Sequence, residues 1–129
     1  MKKHQFRPAA ESGAIYKAGD GRLKIALAFP NTYYVGMSNL GFQLVYRQLN
    51  RAADVGCERV FFPDKKPLPG QKTRRTSLPS VESQLPLHSF SAVAFSVSFE
   101  LDYLNIPVML SRGGIEPLQR ERGSGAPLI

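Results

Sequence analysis

The run Leu23-Lys24-Ile25-Ala26-Leu27-Ala28-Phe29, then Pro30-Asn31-Thr32-Tyr33-Tyr34-Val35-Gly36-Met37-Ser38-Asn39, then Leu40-Gly41-Phe42-Gln43-Leu44-Val45-Tyr46-Arg47-Gln48-Leu49-Asn50-Arg51, decides the fold. Its first part is short and almost continuously apolar, as suits a strand buried on both faces. Gly36 breaks the pattern, and Ser38 or Asn39 supplies a side-chain oxygen to cap a helix. Leu40, Leu44, Val45, Leu49 and Ala52 then share one helical face, with Gln43, Arg47, Asn50 and Arg51 largely opposite. Arg47 and Arg51 complement the negative end of the helix dipole. A strand–loop–helix unit of this kind opens an α/β sheet. Ligands of such sheets bind beyond the carboxyl ends of the strands, so residues 31–38 are the first place to look for chemistry.

Working outward, residues 1–21 are polar and basic and read as an extension lying across the domain surface. Residues 22–129 form the α/β domain. Cys57-Glu58-Arg59-Val60-Phe61-Phe62 is a second strand, ended by Pro63, and a helix between two strands implies parallel pairing. Residues 63–79 are rich in Pro, Lys and Arg and show no period, which is long for a structureless connection. Residues 78–82 suit a short extended segment, and residues 84–90 no more than a helical turn. Ala92-Val93-Ala94-Phe95-Ser96-Val97-Ser98 is a third strand. Asp102 or Asn105 then caps a helix that ends near Arg112, with Gly113-Gly114 as its stop. Residues 115–118 read as a brief strand and residues 126–129 as the start of another. The expected architecture is a mostly parallel, flavodoxin- or Rossmann-like sheet of four or five strands with helices on both faces. The ending inside a strand reads as a fragment of a longer protein.

Composition narrows the function classes. A chain of 129 residues, 43% apolar and 21% charged, is one ordinary globular domain. No apolar run approaches the length of a membrane span, so no membrane partner is expected. The lone Cys57 forms no internal disulfide, in keeping with a cytoplasmic setting. One cysteine and two histidines, His4 and His88, offer no metal constellation. Seventeen Lys and Arg against ten Asp and Glu give a net charge of +7. That balance permits RNA binding, with Lys72, Arg74 and Arg75 as its only short cluster, although a solvated loop explains the same residues.

Several stretches resemble a known group. Arg7-Pro8 with Glu11-Ser12-Gly13-Ala14-Ile15-Tyr16-Lys17, then Phe29 through Gly41, then Cys57-Glu58-Arg59-Val60-Phe61, Ser80-Val81-Glu82-Ser83 and Phe95-Ser96-Val97-Ser98-Phe99-Glu100 resemble the amino-terminal region of bacterial radical S-adenosylmethionine (SAM) proteins that carry a cobalamin-binding-like domain. The resemblance implies a Rossmann-like domain ahead of a catalytic barrel. That barrel would hold a [4Fe–4S] cluster and SAM on a C-x-x-x-C-x-x-C motif, absent here. It also implies cobalamin as a candidate cofactor. Where cobalamin domains show D-x-H-x-x-G, this chain reads Asn31-Thr32-Tyr33-Tyr34-Val35-Gly36. Gly36 keeps the turn, Asn31 stands for the Asp, and Tyr33 replaces the His. A phenol is a poor substitute for imidazole as a cobalt ligand. A Ser-x-Leu or Ser-x-Thr that such cobalamin domains show after the third strand corresponds to Ser96-Val97-Ser98, whose hydroxyls suit the nucleotide tail of a corrinoid.

The resulting expectation is an accessory binding and docking domain without a catalytic centre, partnered by the C-terminal radical SAM barrel of the same protein. Its candidate cofactor-facing residues are Asn31, Thr32, Tyr33, Tyr34, Gly36, Ser38, Ser96 and Ser98. The rival readings are a basic RNA-binding module and a degenerate structural domain with no ligand. Tyr33 and Tyr34 either line a pocket or pack beneath the following helix. Gly36 and Gly41 either admit a ligand's approach or permit close packing, and Ser96 and Ser98 are otherwise satisfied strand-end residues. Glu100 either contacts a ligand or complements a helix start. Cys57 reads as a small buried hydrophobe, His88 as a surface or satisfied residue, and Phe61, Phe62, Phe95 and Phe99 as core.

Overall fold

The computed structural model describes residues 11–17, 21–63 and 78–129. Strand β1 (Leu23–Phe29) leads through a short helix α1 (Tyr33–Met37) into helix α2 (Leu40–Arg51) and then strand β2 (Val55–Phe61). After the segment 64–77, which lies outside the described residues, come a 3-10 turn (Leu87–Ser89) and strand β3 (Ala92–Phe95). A second 3-10 turn (Glu100–Leu104) runs directly into helix α3 (Asn105–Arg112). Among the described residues the sheet has three strands in the order β2-β1-β3, all parallel. Leu23 stands opposite Val55, and Ile25 opposite Ala92. This is a small α/β fold of the flavodoxin or Rossmann type. The chain order reverses at β1, so the gap between the ends of β1 and β3 is the topological switch point.

Alternation along β1 builds two cores. Leu27 and Phe29 point to one face, where they meet Phe42 and Tyr46 of α2 with Cys57 and Phe61 of β2. Phe29 and Phe42 meet edge to face, with ring centroids 5.5 Å apart, an arrangement worth about 0.5–1.5 kcal/mol beyond burial. Ala26 and Ala28 point to the other face, and their small side chains leave room for Leu87, Phe90, Met109, Leu110 and Ile115. Helices thus cover the two faces, α2 on one and α3 on the other.

The strands and helices fall where the patterns place them, with several corrections. The buried face of α2 is Phe42, Tyr46 and Asn50, whereas Leu40, Leu44 and Val45 are exposed. Asn39 Oδ1 accepts from the Phe42 N–H at 2.9 Å and sets the helix start, after which positions 42, 46 and 50 recur on the sheet side. Residues 33–37, expected as loop, form α1. Strand β2 begins two residues earlier than expected, and β3 stops at Phe95. Residues 115–118 are no strand; Arg122 binds the Glu116 and Pro117 carbonyls instead (2.8 and 2.7 Å). Near the far end, Leu128 makes a single parallel bridge to Ala92 on the outer side of β3, below the four or five strands expected. Neither Asp102 nor Asn105 caps α3 through its side chain, because the Asn105 amide reaches back to the Pro30 carbonyl at 2.8 Å. Phe99 is 62% exposed, not core.

Residues 11–17 lie across the α2 side of the domain. Lys17 Nζ donates to the Asn50, Ala52 and Val55 carbonyls at 2.6–2.8 Å, closing the carboxyl end of α2 with a positive charge. The Ile15 N–H donates to the Tyr46 hydroxyl at 2.9 Å. Glu11 pairs with Arg59, which is 1% exposed and also binds Glu82 at 2.7 Å. The Arg59 guanidinium lies 4.8 Å over the Tyr46 ring. Burial opposes its charge, but the Glu11 and Glu82 carboxylates outweigh burial and hold it protonated above the usual arginine range.

Candidate functional site at the strand ends

The crevice at the switch point is built by two backbone departures. After β1, Pro30 is buried and Asn31 turns the chain: its Oδ1 accepts from the Thr32 N–H at 2.7 Å and starts the loop into α1. After β3, the Ser96 N–H still donates to the Ala28 carbonyl at 2.9 Å, so the backbones stay paired to the mouth of the crevice. The two loops are then tied. Asn31 Nδ2 donates to Asp102 Oδ1 at 3.1 Å, and Asn39 Nδ2 donates to the Ser98 hydroxyl at 2.8 Å. The Asn105 bond to Pro30 completes the frame.

Within this frame lies an open crevice of about 550 Å³ lined by Asn31, Ser98, Phe99, Glu100, Leu101 and Asp102. A second hollow of about 520 Å³, lined by Phe29, Tyr34, Val35, Ser38, Asn39 and Phe99, adjoins it. Phe99 lines both. Asp102 is only 6% exposed, and its Oδ2 has no hydrogen-bond partner among the described residues.

The expected site residues therefore divide. Asn31 and Ser98 line the first crevice, Tyr34 and Ser38 the second. Thr32 precedes α1 without a capping bond from its side chain. Ser96 is half-buried at the end of the paired backbone. Tyr33 packs edge-on against Phe61 at 5.2 Å and donates its hydroxyl to Glu11 at 2.8 Å. Gly36 is buried against Phe61 and Phe29 as a packing glycine. Glu100 stands in the first turn of the 3-10 segment, complementing its start. Asp102, Asn39 and Phe99 complete the site. Sequence reading treated Asp102 and Asn39 as helix caps and Phe99 as core; the polar cluster just ahead of a helix, following β3, was the only available signal.

The residues do not fit cobalt ligation from below. Burial first, then the bond to Glu11, pushes the Tyr33 hydroxyl up to about 12, so it is a neutral phenol already committed to a carboxylate. Cys57 is a core residue whose thiol burial pushes up to about 12, and it offers no thiolate for a cluster. Among the described residues no group of three His, Cys, Asp or Glu side chains is placed to hold a metal ion. His88 is satisfied at the Gly113 carbonyl, 3.2 Å from its Nδ1. The basic cluster Lys72, Arg74 and Arg75 lies outside the described residues. No helix among the described residues is long and apolar enough to cross a membrane.

A family model described as the N-terminal region of radical SAM proteins matches residues 41–129, well over half of the chain. The match takes in α2 from its second residue, β2, β3, α3 and the Leu128 bridge. Comparison with curated proteins and with solved structures gives no match.

Proposed function

The chain belongs to the family of radical SAM protein N-terminal domains, and from that membership we propose that it is an accessory domain that docks by its strand-end rim onto the catalytic domain of the same polypeptide. The family implies a [4Fe–4S] cluster and SAM in that catalytic domain, and no step of their chemistry is assigned to residues of this one.

One observation carries the docking reading. Leu101 (79% exposed), Leu40 (81%), Tyr34, Phe99, Tyr103 and Leu104 are large apolar side chains left in solvent on α1, on the start of α2 and on the 3-10 segment. Tyr34 and Phe99 line one hollow, and Phe99 and Leu101 the other; adjoining exposed apolar groups mark interaction surfaces. The test is hydrogen exchange on the 129-residue chain and on the full-length protein. Amides of residues 98–104 exchange more slowly in the full-length protein under this reading; equal exchange in both removes it.

A corrinoid seated on the same rim is the second reading, favoured by Asn31 and Ser98 standing together at the ends of β1 and β3. Such binding proceeds without a protein ligand to cobalt, given the Tyr33–Glu11 bond. Titration with hydroxocobalamin, followed by visible absorbance, checks it: a saturable shift weakened by Ser98→Ala supports a corrinoid site, and a flat titration disposes of it.

A further inference from the structure

We propose that the crevice between the ends of β1 and β3 binds a ribonucleoside, with the Asp102 carboxylate accepting from the ribose diol and Phe99 stacking on the base. This site shares Phe99 and Leu101 with the docking rim but does not require docking, and its test uses the 129-residue chain alone.

Three features of the molecule converge on that ligand class. The first is the orphaned oxygen. Asp102 Oδ1 is held by Asn31 Nδ2 at 3.1 Å, while Oδ2 is buried without a partner among the described residues. Buried polar atoms are nearly always satisfied, and an ionised carboxylate is acceptor-only. The missing partner is therefore a donor, such as a hydroxyl or amine. Glu100 adds a second carboxylate to the same lining. Two carboxylates with no lysine or arginine among the lining residues select against phosphate and for neutral or cationic ligands.

The second feature is Phe99, an aromatic ring 62% exposed on the crevice wall. Base–aromatic stacking is tolerant of base identity because every base has a π face. The third is place: the crevice sits at the switch point, where open α/β sheets hold their ligands. The Ser98 hydroxyl accepts from Asn39, which leaves its own proton for a ligand oxygen. A diol beside a flat ring satisfies the orphaned acceptor and covers the exposed ring together.

The experiment is an amide-resolved NMR titration of the 129-residue chain with adenosine, uridine, 2′,3′-dideoxyadenosine and inorganic phosphate, each to about 1 mM, the range of a weak small-ligand site. Adenosine or uridine is expected to shift the amides of residue 31 and residues 98–102 saturably. Dideoxyadenosine binds about tenfold more weakly, the loss expected for a charge-assisted hydrogen bond. Asp102→Asn keeps an acceptor for Asn31 and weakens adenosine binding similarly, while leaving the far-ultraviolet circular dichroism unchanged. The dideoxy comparison uses the unaltered protein, so it stands even if the variant folds poorly. Absence of shifts with both ribonucleosides, equal binding of the dideoxy analogue, or shifts produced by phosphate overturns the proposal.

Discussion

The side-chain amide of Asn50 pairs with both backbone groups of Cys57: its Oδ1 accepts from the Cys57 N–H at 3.0 Å, and its Nδ2 donates to the Cys57 carbonyl at 3.1 Å. Strand β2 is an edge of the described sheet, and those groups face away from β1. Two residues on, Glu82 and Val81 do the same for Arg59: the Arg59 N–H donates to Glu82 at 2.8 Å, and the Val81 N–H to the Arg59 carbonyl at 2.8 Å. The edge is closed by side chains and a loop instead of another strand. Asn50→Leu leaves both buried Cys57 groups unpaired. We expect it to cost about 2–4 kcal/mol, read as a lowered urea midpoint at unchanged m-value, with Asn50→Asp no milder near neutral pH because it sets a buried carboxylate oxygen against the Tyr46 and Cys57 carbonyls.

Removing Glu82 is a harsher change. Its carboxylate neutralises a fully buried Arg59, and Tyr46 also donates to it at 2.8 Å. Glu82→Ala leaves that guanidinium with Glu11 alone, and a buried pair broken from one side costs about 3–5 kcal/mol. Arg59→Met with Glu11→Gln and Glu82→Gln, which removes all three charges together and keeps an acceptor for the Arg59 N–H and the Tyr46 hydroxyl, is expected to be milder than Glu82→Ala in the same denaturation assay.

Alkaline pH is expected to unfold the domain through groups that cannot ionise in place. Burial raises the Cys57 thiol from its ordinary 9.0 to about 12, and the Tyr33 hydroxyl from 10.0 to about 12. Above pH 9 the unfolded chain has released protons the folded chain still holds, so stability falls as pH rises. The contribution is complete below the unfolded values and disappears as pH climbs through about 12. Thermal melts across that window should show a falling Tm, with a shallower fall in Cys57→Ala.

Gly36 is required by space. A Cβ at this position stands 2.8 Å from Phe61 Cδ1 and 3.2 Å from Phe29 Cδ1. Gly36→Ala is therefore expected to displace the Phe61 ring at a cost of about 1–3 kcal/mol. In Gly36→Ala with Phe61→Leu part of that loss returns, a coupling that a double-mutant thermal denaturation cycle measures.

Much of this architecture was readable from local pattern. The apolar runs at β1, β2 and β3 mark the sheet, Asn39 marks the start of α2, and Gly113-Gly114 marks the end of α3. The orientation of α2 was not readable, because Tyr46 and Asn50 are buried for their polar atoms, through Ile15, Glu82 and Cys57. Apolar periodicity weighs only the groups that avoid water. The Glu11–Arg59–Glu82 cluster joins residues 48 and 23 positions apart, beyond any local spacing rule. It does, however, join three of the stretches on which the family resemblance rests. Asp102 escaped as a site residue for a related reason: its significance lies in an oxygen left over after Asn31 takes the other.

The strap formed by residues 11–17 has a consequence for how the chain is made. Its anchors are Tyr46, Arg59 and the carbonyls of Asn50, Ala52 and Val55, and Arg59 is neutralised fully only when Glu82 arrives. At a synthesis rate of about 5–20 residues per second, residues 11–17 wait several seconds for Glu82 to follow them out of the ribosome. The strap is therefore a closing step of folding: it is locked only after the partners that follow it in the chain have been read.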